Sequence, residues 1–340
     1  MLMPVMKRSC PGRAFAPAAL MMLASVSWGQ LTPDRTYYGV GRAVPMTIAV
    51  PAGTEGEVRV TLNDAATGKE IARADAAPGG VNMATLFPQL WGDKPRQVLL
   101  AQLRVGETEI GAPVVLQPMV PPQKARAAPG GPVQFSPQGM VYSGLRAYTD
   151  RHVVLDTTSG EIRIALRPDA APNTAWNFRG LVEGGFYTDI AFHRIIPALP
   201  STGKPFVAQA GDPGGVGSGG CGFHIDLEPS TLPHDFGVIS MARSGDPDSG
   251  GSQFFLCLSR DGTAFLDGSY TSFGQIVSGG AALILISKAP LEGERPKEPM
   301  PRIITARLAD APPLGARPAP VTREQAEQAM STPIGATEDR

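Results

Sequence analysis

Between Leu31 and Met119 apolar residues recur at every second position. Met46, Ile48 and Val50 alternate with Thr47 and Ala49; Val58, Val60 and Leu62 alternate with Arg59 and Thr61; Leu99, Ala101, Leu103 and Val105 alternate with Leu100, Gln102 and Arg104. Short alternating runs punctuated by Gly, Asn and Asp predict half-buried antiparallel strands. Thr67-Gly68, within Asn63 to Lys69, predicts a hairpin turn between two of them. The stretch 31–119 therefore predicts a small β-sandwich, immunoglobulin-like in pattern. It holds neither His nor Cys, so it shows no metal or thiol chemistry. A spacer or interaction module is the expected role.

Residues 120–149 break the pattern. Pro121 to Pro137 is rich in Pro, Ala and Gly, which predicts an extended linker and a hinge between two domains. Alternation resumes with His152 to Asp156, a turn at Thr158-Ser159-Gly160-Glu161, then Ile162, Ile164 and Leu166, a second hairpin signal. Pro172-Asn173-Thr174 before Ala175 to Glu183, with Gly184-Gly185 just beyond, predicts one short helix. The following apolar runs are short and strand-like up to Gly279. Ala281 to Ile286 is continuously apolar, and periodicity alone does not assign it. From 311 to 340 the apolar pattern fades into Pro and charged residues, which predicts a disordered tail.

Composition changes this picture in three places. Gly (40) and Pro (34) exceed one residue in five of the 340, which fits a loop-rich β protein. The formal net charge of −1 gives no electrostatic reason to expect nucleic acid as a partner. At the N-terminus, Lys7, Arg8 and Arg13 precede an apolar run from Ala14 to Val26, and small residues surround Ser27-Trp28-Gly29. This predicts a signal peptide over 1–29, hence export to a periplasm or to the medium, with no membrane insertion after cleavage. Cys10 would leave with it. Cys221 and Cys257 are expected as two buried free thiols rather than a disulfide.

The candidate chemistry lies between Phe192 and Tyr270. Five blocks stand in order there: Phe192-His193-Arg194-Ile195-Ile196-Pro197, Phe206-Val207-Ala208-Gln209-Ala210-Gly211-Asp212, Ser240-Met241-Ala242-Arg243, Gly251-Ser252-Gln253-Phe254-Phe255 and Phe265-Leu266-Asp267-Gly268. They offer one central Arg, two Gln and many apolar groups. There is no nucleophile triad, no ligand spacing and no phosphate loop, so the inventory suits an apolar pocket with one cation aimed into it. In this order the blocks resemble the cyclophilin family of peptidyl-prolyl isomerases, over roughly Arg151 to Leu308.

The resemblance implies a mainly β fold for 150–310, an eight-stranded antiparallel barrel capped by two helices. Ala281 to Ile286 would form the second cap and Ile303 to Leu308 the closing strand. It further implies isomerisation of Xaa-Pro bonds in proline-containing polypeptides, with no cofactor and no metal, by a monomer. Arg194 and Gln209 match the family's catalytic pair. Phe206, Val207, Phe255 and Leu266 match its proline pocket, and Ala242, Arg243, Gln253, Phe265 and Tyr270 match further substrate contacts. His193 takes a supporting role, since the reaction needs no general base.

This chain departs from the pattern in that Val207 stands for the usual Met, Phe265 for Trp and Tyr270 for His. Ala198 to Pro205 adds about seven residues at the groove rim. A non-catalytic Pro-peptide-binding module or chaperone, its groove partly covered by that loop, is the alternative reading. Three lookalikes are set aside. Gly215 to Gly220 fits G-x-G-x-x-G but lacks a following helix. The four His residues have no ligand spacing, and Asp246 to Ser249 reads as a turn.

Overall fold

The computed structural model describes residues 29–92, 97–127, 133–136 and 141–331. The expected signal peptide, apart from Gly29, and positions 332–340 lie outside the described residues.

The alternating N-terminal runs form two antiparallel sheets. Gln30–Pro33, Pro45–Ala49 and Gly79–Asn82 make a three-stranded sheet. The other has six strands in the order Tyr37–Gly39, Gly144–Thr149, Thr108–Met119, Leu99–Val105, Val58–Asp64 and Glu70–Asp75. Leu31, Met46 and Ile48 meet Val60, Leu62, Ala101 and Leu103 in one core. The Thr67-Gly68 turn forms as expected, with the Asp64 carboxylate accepting from the Thr67 N–H at 2.7 Å.

The structure corrects three expectations for this half. Leu99–Val105 is covered on both faces rather than half-buried: Leu100 is 2 % exposed and Gln102 fully buried. The second face is covered from outside the sandwich. Val98, Leu100, Val115 and Tyr148 pack with Trp176 of the second half and Leu314 of the C-terminal stretch. The expected linker, in turn, ends as a strand. Gly144–Thr149 pairs with Thr108–Met119 from Gly144↔Met119 to Thr149↔Val114, and only Asp150 separates it from the next strand at Arg151. Composition hid this because Leu145 and Ala147 face one core while Tyr148 faces the other. Over the described residues 144–151 the junction with the second half is therefore strand interrupted only at Asp150 rather than a free hinge. Trp176 lies 4.8 Å from the Tyr148 ring and 6.4 Å from that of Tyr37, with the Arg146 guanidinium 4.7 Å over it.

The expected disordered tail is the third correction. Residues 311–331 cross both halves. The Leu314 N–H donates to the Gln102 side chain at 3.1 Å, Arg317 pairs with Asp150, and the Val321 N–H donates to the Ile276 carbonyl at 2.9 Å. Helix Arg323–Ser331 then buries Ala326 against Gly280. A Cβ on Gly280 would lie 2.9 Å from that of Ala326, so the approach requires glycine. Few apolar residues remain in this stretch, but each meets a different element, which a periodicity argument does not register.

The main sheet of the second half is antiparallel and has nine strands. Their order is Ile190–Ala191, Arg302–Asp310, Arg151–Thr157, Gly160–Leu166, Ser272–Ser278, Val238–Met241, Phe254–Cys257, Val207–Ala210 and Arg194–Ile196. The two edge strands are consecutive in the chain, separated only by Phe192 and His193. Counted as one interrupted strand, they close the sheet into the expected eight-stranded barrel.

Helix Pro172–Glu183 caps one side, placing Phe178 within 5.3 Å of the Tyr187, Phe254 and Phe273 rings. Its first turn is capped from a distance. The Glu228 carboxylate accepts from the Asn173 and Thr174 N–H groups at 3.0 and 2.7 Å, the favourable end of the helix for an anion. The Ala281 to Ile286 run becomes helix Gly280–Ser287, apolar almost all round. Gly280, Ala282, Leu283, Ile284 and Ile286 are buried between barrel and C-terminal helix, while Leu285 stays exposed.

Candidate active site

Period-two geometry decides which side chains of the barrel face outward. Ile195, Ala208, Ala210, Phe254 and Leu256 point into the core, so Arg194, Gln209 and Phe255 point the other way. Register places them side by side, with Arg194 opposite Gln209 and Gln209 opposite Phe255. Three of the residues expected from sequence thus occupy adjacent positions on three neighbouring strands.

They open onto a hollow of about 490 Å³. Phe255, Leu266 and Val207 form its floor at 5 %, 5 % and 2 % exposure. Phe206 forms a wall, stacked on Phe265 at 5.6 Å with the ring planes 16° apart. Tyr270 stands edge-on to Phe255 at 5.7 Å. The Arg243 guanidinium lies 4.5 Å over the Tyr270 ring and donates to the Ser269 carbonyl, so its side chain braces that wall. A second hollow of about 670 Å³ adjoins the first across Gln209, Gly217, Ala242 and Arg243. Sharing these four residues, the two hollows form one continuous groove.

The inserted Ala198–Pro205 does not cover the groove; among the described residues none of it lines either hollow. It continues the hairpin between the Arg194 and Gln209 strands, closing with Leu199 N–H to Lys204 O at 2.8 Å. Lys204 reaches Asp261 at 3.1 Å, and Ser259 donates to the Pro205 carbonyl at 2.6 Å. The insertion thereby fixes the chain immediately before Phe206.

The polar side of the pocket is a relay. Arg194 Nη1 donates to Gln209 Oε1 at 3.3 Å, and Gln209 Nε2 donates to Gln253 Oε1 at 2.9 Å. Gln253 Nε2 in turn donates to the Gly217 and Gly219 carbonyls at 3.0 and 2.8 Å. The glycine-rich run set aside as a nucleotide motif therefore terminates this relay. Asp212, fully buried, shapes the run by accepting the N–H groups of Gly214, Val216, Gly217 and Gly219 at 2.6–3.1 Å. Burial alone would raise its carboxyl pKa, but these four donors bring it below the usual range.

His193 lies in the strand break at 5 % exposure and lines the pocket. Burial lowers its pKa, outweighing the pull of Asp212, and Arg295 and Arg194 add to the lowering. A neutral imidazole in this position fits the supporting role expected of it.

Four residues that brace the pocket were not found from sequence. Asp212 and Asp267 stand inside the quoted blocks, where their acidity alone was the available signal. His234 packs beneath Phe255, ring centroids 6.1 Å apart, held by Asp267 at 2.9 Å and Ser240 at 2.8 Å. Glu294 lies 100 residues from Arg194 yet accepts its Nε–H at 2.6 Å; no local pattern announces it. Cys257 is buried as expected, whereas Cys221 is only half-buried and lines the larger hollow; both are free. Among the described residues no group of three or more His, Cys, Asp or Glu could hold a metal ion, and no helix is long and apolar enough to cross a membrane.

A closed antiparallel barrel with an Arg–Gln pair beside an outward apolar pocket defines the class. Residues 152–308 match the family model for cyclophilin type peptidyl-prolyl cis-trans isomerase/CLD. A peptidyl-prolyl cis-trans isomerase of Synechococcus elongatus is 43 % identical over 122 residues, covering 36 % of this chain and 77 % of that protein. Peptidyl-prolyl cis-trans isomerase B of Bacillus subtilis is 42 % identical over 121 residues, covering 35 % and 78 %. A solved cyclophilin type isomerase of Cryptosporidium parvum, 29 % identical, aligns over 48 % of this chain and 99 % of its own with a TM-score of 0.43. The chain belongs to the cyclophilin type peptidyl-prolyl cis-trans isomerase family, and it is an enzyme of that activity.

Proposed function

We propose that this isomerase is exported as a monomer and acts on Xaa-Pro bonds of exported polypeptides, with Arg194 stabilising the twisted amide. The observation that carries the mechanism is the Arg194 guanidinium held by Gln209 at the edge of a pocket floored by Phe255. Amide resonance sets a barrier of about 20 kcal/mol to rotation about the prolyl bond. As the bond twists, its nitrogen regains a lone pair that the planar amide lacks. A donor aimed at that lone pair binds the twisted form better than the planar one, and differential binding of this kind accelerates the reaction.

Phe206, Val207, Phe255 and Leu266 grip the proline ring while the preceding residue turns. Ala242 and the Arg243 main chain, with Gln253, Phe265 and Tyr270, carry the flanking peptide. No proton is transferred and no cofactor takes part. Arg suits the role because its fork is planar and keeps its charge. Export rests on the basic and apolar pattern of residues 1–29, and the net charge of −1 gives nucleic acid no purchase.

The test measures cis-to-trans exchange of a short Xaa-Pro peptide by magnetisation-transfer NMR, with wild type beside Arg194→Ala. Loss of about 10²–10³-fold in rate is expected, the scale for removing one transition-state donor. Peptide binding without acceleration by the wild type would replace this reading with a binding module. Export is tested by fractionating cells that express the full chain. Recovery of uncleaved protein in the cytoplasm alone would overturn it.

A further inference from the structure

Arg194 is held from two sides. Gln209 takes Nη1, as the family resemblance implies, but Nε donates at 2.6 Å to Glu294 on the short hairpin of Leu291–Glu292 and Arg295–Pro296. Glu294 is itself fixed relative to the arginine strand, because its main-chain carbonyl accepts the Ile195 N–H at 2.8 Å. Its neighbour Arg295 donates to the Gly215 carbonyl at 2.7 Å, reaching the same glycine-rich loop that receives Gln253.

The contacts therefore run in a circuit around the pocket mouth. They lead from Glu294 to Arg194, Gln209, Gln253 and the Asp212-capped loop, and return through Arg295. Two edges of the guanidinium are occupied. Among the described residues no other hydrogen-bond partner holds it, so Nη2 and the second Nη1–H remain for substrate.

We infer that Glu294 is a positioning residue for the isomerase reaction, orienting the Arg194 fork toward the twisted amide. The inference rests on the catalytic reading of Arg194 given above. Gln209 alone holds the fork by a single 3.3 Å bond about which it pivots. A second, shorter bond on Nε removes that freedom, and freedom of this kind is costly when the donor must match a transition state to within a fraction of an ångström. Glu294 does little for stability. The two side chains are 42 % and 53 % exposed, and ion pairs in such positions contribute almost nothing to folding.

The full chain is tested as wild type, Glu294→Ala, Glu294→Gln, Arg194→Lys, Arg194→Lys with Glu294→Ala, and Arg194→Ala. Exchange NMR on a short Xaa-Pro peptide separates kcat from KM, and melting is followed in parallel. For Glu294→Ala the expectation is a fall of about tenfold in kcat, with KM within about twofold and melting within about 1 °C. Glu294→Gln, whose amide oxygen still accepts the Nε–H, recovers most of the rate. In the Arg194→Lys background, which has no such N–H, Glu294→Ala changes kcat by less than about twofold. The inference is overturned if Glu294→Ala leaves kcat within twofold, shifts KM instead, is not rescued by Gln, or costs as much in the Arg194→Lys background as in the wild type. Should Arg194→Ala itself stay active, the catalytic reading of Arg194 fails, a result distinct from all of these.

Discussion

Asp212→Asn removes one charge from a carboxylate that does not touch the pocket, and its consequences follow from four hydrogen bonds. One oxygen of Asp212 accepts the N–H groups of Val216, Gly217 and Gly219; the other accepts that of Gly214. An amide has one acceptor atom. In its better orientation it keeps three bonds, now uncharged, and turns an NH2 group toward the Gly214 N–H. Charge-assisted bonds contribute about 1.5–3 kcal/mol each and neutral ones about 1 kcal/mol. The four are not additive, so the net loss is about 3 kcal/mol, most of it from the bond that reverses polarity.

For a cooperative unit of barrel size this is roughly 6–12 °C in melting temperature. The loop then presents the Gly217 and Gly219 carbonyls less rigidly to Gln253, and through Gln209 the looseness reaches Arg194. Isomerase kcat/KM is expected to fall about tenfold at temperatures where the variant is fully folded. Urea unfolding with an unchanged m-value, together with peptide exchange NMR, reads both effects. A variant within about 0.5 kcal/mol of wild-type stability would refute the hydrogen-bond reasoning. Lost stability with full activity would cut the loop from the relay.

Three further outcomes are expected. Gly280→Ala brings a methyl group within 2.9 Å of the Ala326 Cβ and 2.8 Å of Val321; it costs about 1–3 kcal/mol and raises hydrogen exchange across 321–331 before the barrel strands, and unchanged exchange there would count against the packing. Asp267→Asn is expected to abolish an acid-dependent part of stability. Burial opposes ionisation of Asp267, yet Arg260 and the His234 main and side chains hold its pKa near about 2. The contribution is full above the ordinary 3.8 and is lost as pH falls through 2. That difference corresponds to about 2 kcal/mol, which screening at a side chain 36 % exposed reduces to about 1 kcal/mol; acid titrations of the two proteins that run parallel from pH 5 to 2 would sink this account. Finally, the isomerase rate should show no step above pH 6.5. Burial holds His193 below its ordinary 6.5, so it gains a proton only under more acid conditions. A step in kcat near neutrality would instead place a titrating group in the reaction.

Local patterns were sufficient for much of this molecule and failed in a consistent way elsewhere. Alternation in 152–166 gave the barrel's first hairpin, and Pro172 with Gly184-Gly185 bracketed its helix within three residues of the observed start. The five blocks gave the pocket because each carries its residues on one strand or turn. What escaped was held together across distance. Gly144–Thr149 is a strand only because Thr108–Met119 lies beside it. The run beyond 310 orders only because Gln102, Asp150 and Gly280 wait for it. Glu294 matters only where barrel closure brings it to Arg194. Asp212 and His234 act on the pocket through other residues, and composition records nothing of such arrangements.

The crossing by residues 311–331 also has a kinetic meaning. Its contacts close loops of 212, 206 and 167 residues, from Leu314 to Gln102, Gly315 to Glu109 and Arg317 to Asp150. Ordering a chain over such spans gives no return until both surfaces it bridges exist, so these contacts belong to the last stage of folding. By the same reasoning they are expected to open before the barrel strands, which would uncover the outer face of the six-stranded sheet at Leu100 and Val115 on the side that Leu314 covers. If these contacts open first, the barrel stands beside an unsealed neighbour, and amide exchange across 311–331 no faster than in the barrel strands would refute that order. Such an opened form would be the first to meet proteases and aggregation partners, so the C-terminal contacts would then act as a seal on the neighbouring sheet.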